Sequence, residues 1–400
     1  MKRLAAALVL VALLALGACP ALASTPGTLL IWADEVRSQV LLDLARTFEA
    51  EYGIPVRVQE MGFGDIRDTL NVAAPAGQGP DILVGAHDWL GQLVTNGLLE
   101  PIQLGEKADA FLPTALEAWT YDGVLYGLPY ATEAIGLFYN KALVPRAPAT
   151  FEEMIELARA AADRSQGIYG YALPIPDPYH TFPLMSAQGG YVFGPTPEGG
   201  LDPLDIGLNT EGAVAGVELF DRLIEEGVLP VLDFATMEGL FVSHRLAFMQ
   251  TGPWELATVR NAGIDYGFIP IPPINGQPAR PFVGVQGFMI SSFSANKLLA
   301  QAFLNEYIAT TETMLRLFEL DPRPPAYLPA LERIDDPDME AVAQAAAVGI
   351  PMPAIPQMAA VWTAWSDALT LVANQELEPK AALDDAVAQI RATIEASLNR

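Results

Sequence analysis

The feature that most constrains this chain is a β-α-β-α rhythm that begins near residue 28 and starts again in the second half. Thr28 to Trp32 is an apolar run of strand length, and from Val40 to Tyr52 the apolar positions 40, 41, 44, 45, 48 and 52 return at helical spacing. Gly53 then supplies a helix stop. Ile54 to Val58 and Asp81 to Val84 read as further strands. This alternation indicates parallel sheets with helices on both faces. Thr150 with Glu153 forms a capping box for a helix running to about Arg164, and Glu211 to Glu226 is a second periodic helix closed by Gly227. Proline and glycine, 33 of each, gather in loops such as Leu173 to Pro178, Gly194 to Pro203 and Pro270 to Pro281. The fold class is therefore α/β, in two lobes, each a sheet flanked by helices. Because no low-complexity linker separates the lobes, the chain is expected to cross between them more than once.

Composition narrows the partners. The 400 residues carry 22 Lys plus Arg against 48 Asp plus Glu, a formal net charge of −26. Hydrophobic residues make up 51% and charged residues 18%, which is too apolar for disorder. Nucleic acid is excluded as a partner, since its binding depends on clustered Lys and Arg, and no such cluster is present.

Residues 1–23 read as an export signal: Lys2 and Arg3 precede an uncharged apolar run from Leu4 to Leu16, short for a membrane span. Two alternative processing sites follow. Leu16 to Cys19 resembles the lipobox of bacterial lipoproteins, and Ala21-Leu22-Ala23 is an A-x-A site of the ordinary secretory type. The expected location is outside the cytoplasmic membrane, periplasmic or on its outer face, with Cys19 as the lipid-anchor candidate. Cys19 is the only cysteine, so the mature body holds no disulfide.

Several chemistries lack their residues. There is no G-x-S-x-G nucleophile elbow and no Walker-type phosphate loop. His87, His180 and His244 are far apart in sequence and, without cysteines beside them, suggest neither a metal set nor a cofactor. What the chain does show is acid beside aromatic, repeated at the ends of predicted strands. Trp32-Ala33-Asp34-Glu35, His87-Asp88-Trp89, Asp177-Pro178-Tyr179, Gly252-Pro253-Trp254 and Trp362-Thr363-Ala364-Trp365 make up this set. Glu133 joins it as an acid inside the apolar stretch Leu128 to Phe138, a position that calls for a specific partner or a cleft wall. Each has a structural alternative: Trp32, Trp362 and Trp365 as core, Asp34 and Glu35 as first-turn helix acids, Asp88-Trp89 as a cap and a core ring. Trp119 is assigned to structure. In open α/β sheets, ligands bind beyond the carboxyl ends of strands. Sugars suit such a cleft, because ring C–H faces pack on aromatic planes while hydroxyls donate to carboxylates.

The residues also carry a family likeness. Gly79-Pro80-Asp81-Ile82, Gly85-Ala86-His87-Asp88, Thr132-Glu133-Ala134, Phe138 to Lys141, Gly252-Pro253-Trp254, Pro281 to Val285 and Ile355 to Met358, with Trp32, run in collinear order from about Leu29 to the C-terminus. The chain resembles the maltose/maltodextrin-binding proteins of bacterial ABC importers. The resemblance implies a type II periplasmic-binding fold that closes on its ligand by hinge rotation and docks on permease subunits, as a monomer and not an enzyme. It implies an N-terminal lobe of 24–131 plus 287–335 and a C-terminal lobe of 136–282 plus 336–400. The crossings would lie around Ala131 to Gly136, Val283 to Gly287 and near Asp336-Pro337.

Carried over residue by residue, the ligand acids would match Asp88, Glu133 and Asp177, with Asp34 or Glu35 serving the first loop. The stacking aromatics would match Tyr179, Trp254 and Trp362, with Phe234 at another aromatic position. This chain departs from the best-known maltose binder in having Gly85 for a tryptophan, Trp89 for an arginine, Thr363 for a tyrosine and Ser366 for an arginine. Trp89 is the candidate to replace the missing ring. Maltose and maltodextrins are the expected ligands, with trehalose or sucrose as alternatives for an altered pocket. A secreted glycosidase using two of these carboxylates is the alternative from another class.

Overall fold

In a computed structural model the described residues are 25–197 and 199–398. The export signal, with Cys19 and the Ala21 to Ala23 site, lies outside them. The strands that build the two main sheets are β1 (Leu29–Ala33), β2 (Val56–Glu60), β3 (Ile82–Ala86), β4 (Leu99–Glu100), β5 (Gly127–Ala134), β6 (Gly136–Asn140), β7 (Tyr169–Ala172), β8 (Leu246–Thr251), β9 (Tyr266–Ile269), β10 (Phe282–Ser291) and β11 (Ile350–Pro351).

A seven-stranded sheet runs β11-β10-β3-β1-β2, with β4 and β5 also pairing with β10. β1 and β3 are buried along their whole length, as expected of strands covered on both faces. The helix Glu35–Tyr52 covers them with the face carrying Val40, Leu41, Leu44, Ala45 and Phe48, and Gly53 ends it in the left-handed conformation at φ 68°. A four-stranded sheet runs β9-β6-β8-β7. Helices Phe151–Ala161 and Glu211–Glu225 bury Phe151, Met154, Val217 and Phe220 in a core shared with the helices Val361–Ala373 and Pro379–Leu398.

Both sheets are mixed. β1 is parallel to β2 and β3, as the rhythm indicates, but β10 is antiparallel to β3 and to β5. In the smaller sheet β6 is antiparallel to both β8 and β9. The antiparallel strands arrive from the other half of the molecule, so no βαβ crossover fixes their direction. The helix expected to reach Arg164 stops at Ala161. Thr150 caps it, accepting from the Glu153 N–H at 3.1 Å, while Arg164 lies in a separate turn capped by Asp163.

Among the described residues, the chain leaves the large sheet at Ile135, between β5 and β6. It returns through 270–281 into β10, every residue of which belongs to the large sheet's run, although Phe282 itself packs in the core of the smaller sheet's lobe. It passes over again between Ala330, packed in the first core, and Met339, packed against β6 and β8 side chains. β11 then touches the edge of β10 before the last helices complete the second lobe.

His87 joins these passages. It accepts from the Val285 N–H at Nδ1 (3.1 Å), and its Nε2 lies 3.0 Å from the Met352 carbonyl. Burial pushes its pKa down to about 4, so the ring is neutral and Nε2 is the donor. No helix among the described residues is long and apolar enough to cross a membrane.

Candidate functional site

Part of the acid–aromatic set comes together where the two lobes meet, and local structure explains the placement of each residue. Asp88 follows β3 in the 3-10 turn His87–Trp89 and is buried. Trp362 lies on the first turn of Val361–Ala373, whose core face carries Val361, Trp365, Leu369 and Val372, so its ring stands beside that face and not within it. From there the indole Nε1 donates to Asp88 Oδ2 at 3.0 Å, joining the lobes. Burial pushes the Asp88 pKa up to about 6, against the opposing pull of Arg67 and of the Trp362 hydrogen bond.

Asp177 caps the helix Pro178–Ser186, accepting from the Tyr179 N–H at 2.8 Å and bonding His180 Nδ1 at 2.7 Å. Burial would raise its pKa, but the His180 charge and these donors outweigh it and hold the carboxyl below its usual value. Tyr179, on the first turn, sits 6.2 Å from the Trp254 ring and 5.8 Å from Phe282, centre to centre. Its buried hydroxyl finds no hydrogen-bond partner among the described residues. The neighbouring charges of Glu133, Asp177, Asp88 and Arg323 all act on it, after burial. Trp254 lies flat on Gly252, where a Cβ would come within 2.1 Å of the ring. Glycine is required there by close approach.

Glu133, on β5, is buried and doubly held. Gln286 Nε2 donates to one oxygen and Arg323 Nη1 to the other, both at 2.7 Å. Arg323 also donates to Asp321 at 2.9 Å, and its guanidinium stands 5.6 Å from the Trp254 ring centre, a cation–π contact reaching the other lobe.

The first-loop acids behave differently. Asp34 caps the helix Glu35–Tyr52, accepting from the Val36 and Arg37 N–H groups, and pairs with the Arg37 side chain, so both oxygens are already committed. Glu35 is exposed on the first helical turn. Trp89 is buried, with its ring on Gly85: a Cβ there would come within 2.0 Å of the indole. It also packs at 4.7 Å on Phe63, which in turn faces Arg37 at 5.3 Å. Phe234 is half-buried on the first turn of Phe234–Val242, tied near the Asp177 loop by the Ile175 N–H to Leu232 carbonyl bond of 2.8 Å. Asp88, Glu133, Asp177, Tyr179, Trp254 and Trp362 are thus the residues brought together. Trp32, Trp119 and Trp365 are wholly buried in cores.

Sequence reading missed Arg37, Gln286, Glu255 and Arg323. The rule that singled out Glu133, a polar group inside an apolar pattern, also finds Gln286 within Phe282–Ser291. A hollow of about 430 Å³ lies elsewhere, between Phe151–Ala161 and Glu211–Glu225, and contains none of the set.

The profile of the family described as bacterial extracellular solute-binding proteins matches residues 43–348. The chain belongs to that family. It is 32% identical over 382 residues to a galactooligosaccharide-binding protein of Bacillus subtilis, covering 92% of this chain and 90% of that protein. It is 34% identical over 312 residues to a maltotriose-binding protein of Pyrococcus abyssi, covering 74% and 66%. A maltodextrin-binding protein of Bacillus subtilis is 29% identical over 390 residues, covering 94% and 92%. The mixed sheets with flanking helices are those of a two-lobed solute-binding fold.

Proposed function

We propose that this solute-binding protein captures a neutral oligosaccharide outside the cytoplasmic membrane and delivers it to the permease subunits of an ABC importer. The observation that carries the reading is the convergence of acids and aromatic plates from both lobes, joined by the Trp362–Asp88 hydrogen bond and the Arg323–Trp254 contact. A sugar entering between the lobes exchanges these contacts for its own: hydroxyls donate to Asp88 and Asp177, and ring faces pack on Trp254, Trp362 and Tyr179. Lobe closure buries the polar ligand away from water and releases it on opening. The moving bodies are taken as 24–131 plus 287–335 and 136–282 plus 336–400, acting as a monomer and without catalysis. Export through the signal of residues 1–23, with or without lipidation at Cys19, belongs to the same reading.

Maltose and maltodextrins lead, supported by the Pyrococcus and second Bacillus relatives. A second reading, galactooligosaccharides, is favoured by the Bacillus relative that covers 92% of this chain. The test is a tryptophan-fluorescence titration of the mature protein with maltose, maltotriose, trehalose, sucrose, β-1,4-galactotriose and a polyamine control. Saturation by maltotriose supports the first reading, and saturation by galactotriose alone the second. A response confined to trehalose or sucrose would keep the mechanism and replace the sugar, and silence to every sugar sinks the oligosaccharide assignment. No glucose release from maltotriose is expected.

A further inference from the structure

Glu255 ends the turn Pro253–Glu255, immediately after the Trp254 plate, and its N–H bonds the Gly252 carbonyl at 3.2 Å. Its side chain is 2% exposed, yet Oε2 has no partner among the described residues. A buried carboxyl oxygen without a partner is costly, and such groups persist where they serve a ligand or a reaction. The charged groups around it come from two elements: Glu238 on Phe234–Val242, and Asp321 and Arg323 on the opposite lobe's loop. Arg323 is nearby but occupied, since its guanidinium donates to Glu133 and Asp321.

We propose that Glu255 is a further ligand-contacting residue of the cleft, its unpartnered carboxyl hydrogen-bonding a hydroxyl of the bound oligosaccharide. The proposal rests on the oligosaccharide reading above. Its chemical logic is one of complementarity. Each sugar hydroxyl both donates and accepts, and ring and glycosidic oxygens only accept. Ionised acids such as Asp177 can take a sugar's protons but offer none in return. A neutral carboxyl beside the stacking ring supplies the missing donor and also accepts through its carbonyl oxygen. Burial, with Glu238 and Asp321 adding to it and Arg323 opposing, pushes the Glu255 pKa up to about 8, so the proton is in place at neutral pH.

The test is isothermal titration of wild type, Glu255→Gln and Glu255→Ala with maltotriose and β-1,4-galactotriose between pH 6 and pH 9.5, alongside thermal unfolding of the unliganded proteins. For whichever sugar wild type binds, Glu255→Ala is expected to weaken affinity about tenfold or more without lowering Tm, since it removes an unpartnered polar group. Glu255→Gln keeps a donor and an acceptor, so its affinity at pH 7 should stay within about threefold of wild type. Wild-type affinity should fall above about pH 8, and the Gln variant should lose that limb. Wild-type affinity and pH profile in Glu255→Ala would overturn the proposal alone. Lower Tm with equal loss of affinity in both variants would show a structural group and overturn it too. If wild type binds neither sugar nor any other oligosaccharide tried, the function and this proposal fall together.

Discussion

The indole Nε1 of Trp362 donates to Asp88 Oδ2 at 3.0 Å across 274 residues of sequence, linking the last helical pair of one lobe to the end of a central strand in the other. The bond also tunes the acid. Asp88 sits at about 6, above the usual 3.8, because burial outweighs Arg67 and Trp362. As a sugar acceptor it is stronger ionised than neutral, since a carboxylate makes charge-assisted hydrogen bonds, so affinity should fall as pH drops below about 6. Trp362→Phe removes a donor that favours the anion, and the acid limb should then move to higher pH. The linkage to folding has the opposite sign: a raised folded pKa makes this group's contribution to stability fullest below 3.8, and that contribution is lost as pH rises through about 6. Loss of affinity in mild acid is thus not loss of fold at this site. Kd against pH, measured from 4.5 to 7.5 for both proteins, checks it; coincident limbs would disprove the coupling.

Arg323 and Glu133 form a buried pair, with side chains 3% and 6% exposed. Replacing Arg323 by Met leaves Glu133 and Asp321 as buried anions without their cation, a change expected to cost about 3–5 kcal/mol. Urea unfolding should show the midpoint fall without a large change in slope. The double variant Arg323→Met/Glu133→Gln should recover part of the loss, because one of the stranded charges is gone. Arg323→Lys should not restore wild-type stability, since a single ammonium cannot reproduce a fork that serves both carboxylates. A single variant as stable as wild type would contradict the pairing.

How much of this was readable beforehand divides along physical lines. Local signals were reliable: Gly53 and Gly227 adopt the left-handed conformation at the helix ends where they were expected, and Thr150 caps its helix. The acid within an apolar strand, Glu133, proved to be buried and doubly hydrogen-bonded. Strand direction was not legible. β10 pairs with β3 and β5 from far along the chain, and periodicity carries no information about which strand lies beside which. Side-chain commitment was equally hidden. Nothing in Asp34-Glu35-Val36-Arg37 distinguishes an acid that caps its own helix and pairs with Arg37 from one that faces a ligand. Arg323 escaped notice because it stands in a proline run beside Asp321, while Glu133, which it holds, lies 190 residues away.

Gly85 and Trp89 act as one unit. The indole lies where a side chain at 85 would have to stand, with the nearest ring atom 2.0 Å from a Cβ built there. Gly85→Ala must therefore displace the ring and is expected to cost about 1–3 kcal/mol. Trp89→Ala opens a cavity and is expected to cost about 3–5 kcal/mol. In the double variant the added methyl enters space already emptied, so the two costs should sum to clearly more than the measured loss. Chemical denaturation of the three variants tests this, and strict additivity would show that the glycine does not exist to seat the indole.

Tyr179 offers the cleanest separation of binding from stability. Its hydroxyl is buried and has no partner among the described residues, and burial together with the nearby Glu133 charge raises its pKa well above 10. The group is therefore a neutral donor at every pH at which the protein is likewise folded and ligand-competent. Removing it in Tyr179→Phe keeps the ring against Trp254 and Phe282 and deletes only a polar group that the protein itself leaves unsatisfied. Stability should be unchanged or slightly higher, because a buried hydroxyl without a hydrogen bond costs about 1–3 kcal/mol. Sugar affinity should drop about tenfold, the loss expected when a hydrogen bond made only in the complex is removed. Thermal unfolding and fluorescence titration on the same samples read both effects, and a fall in Tm with unchanged affinity would assign the hydroxyl to the fold instead of the ligand.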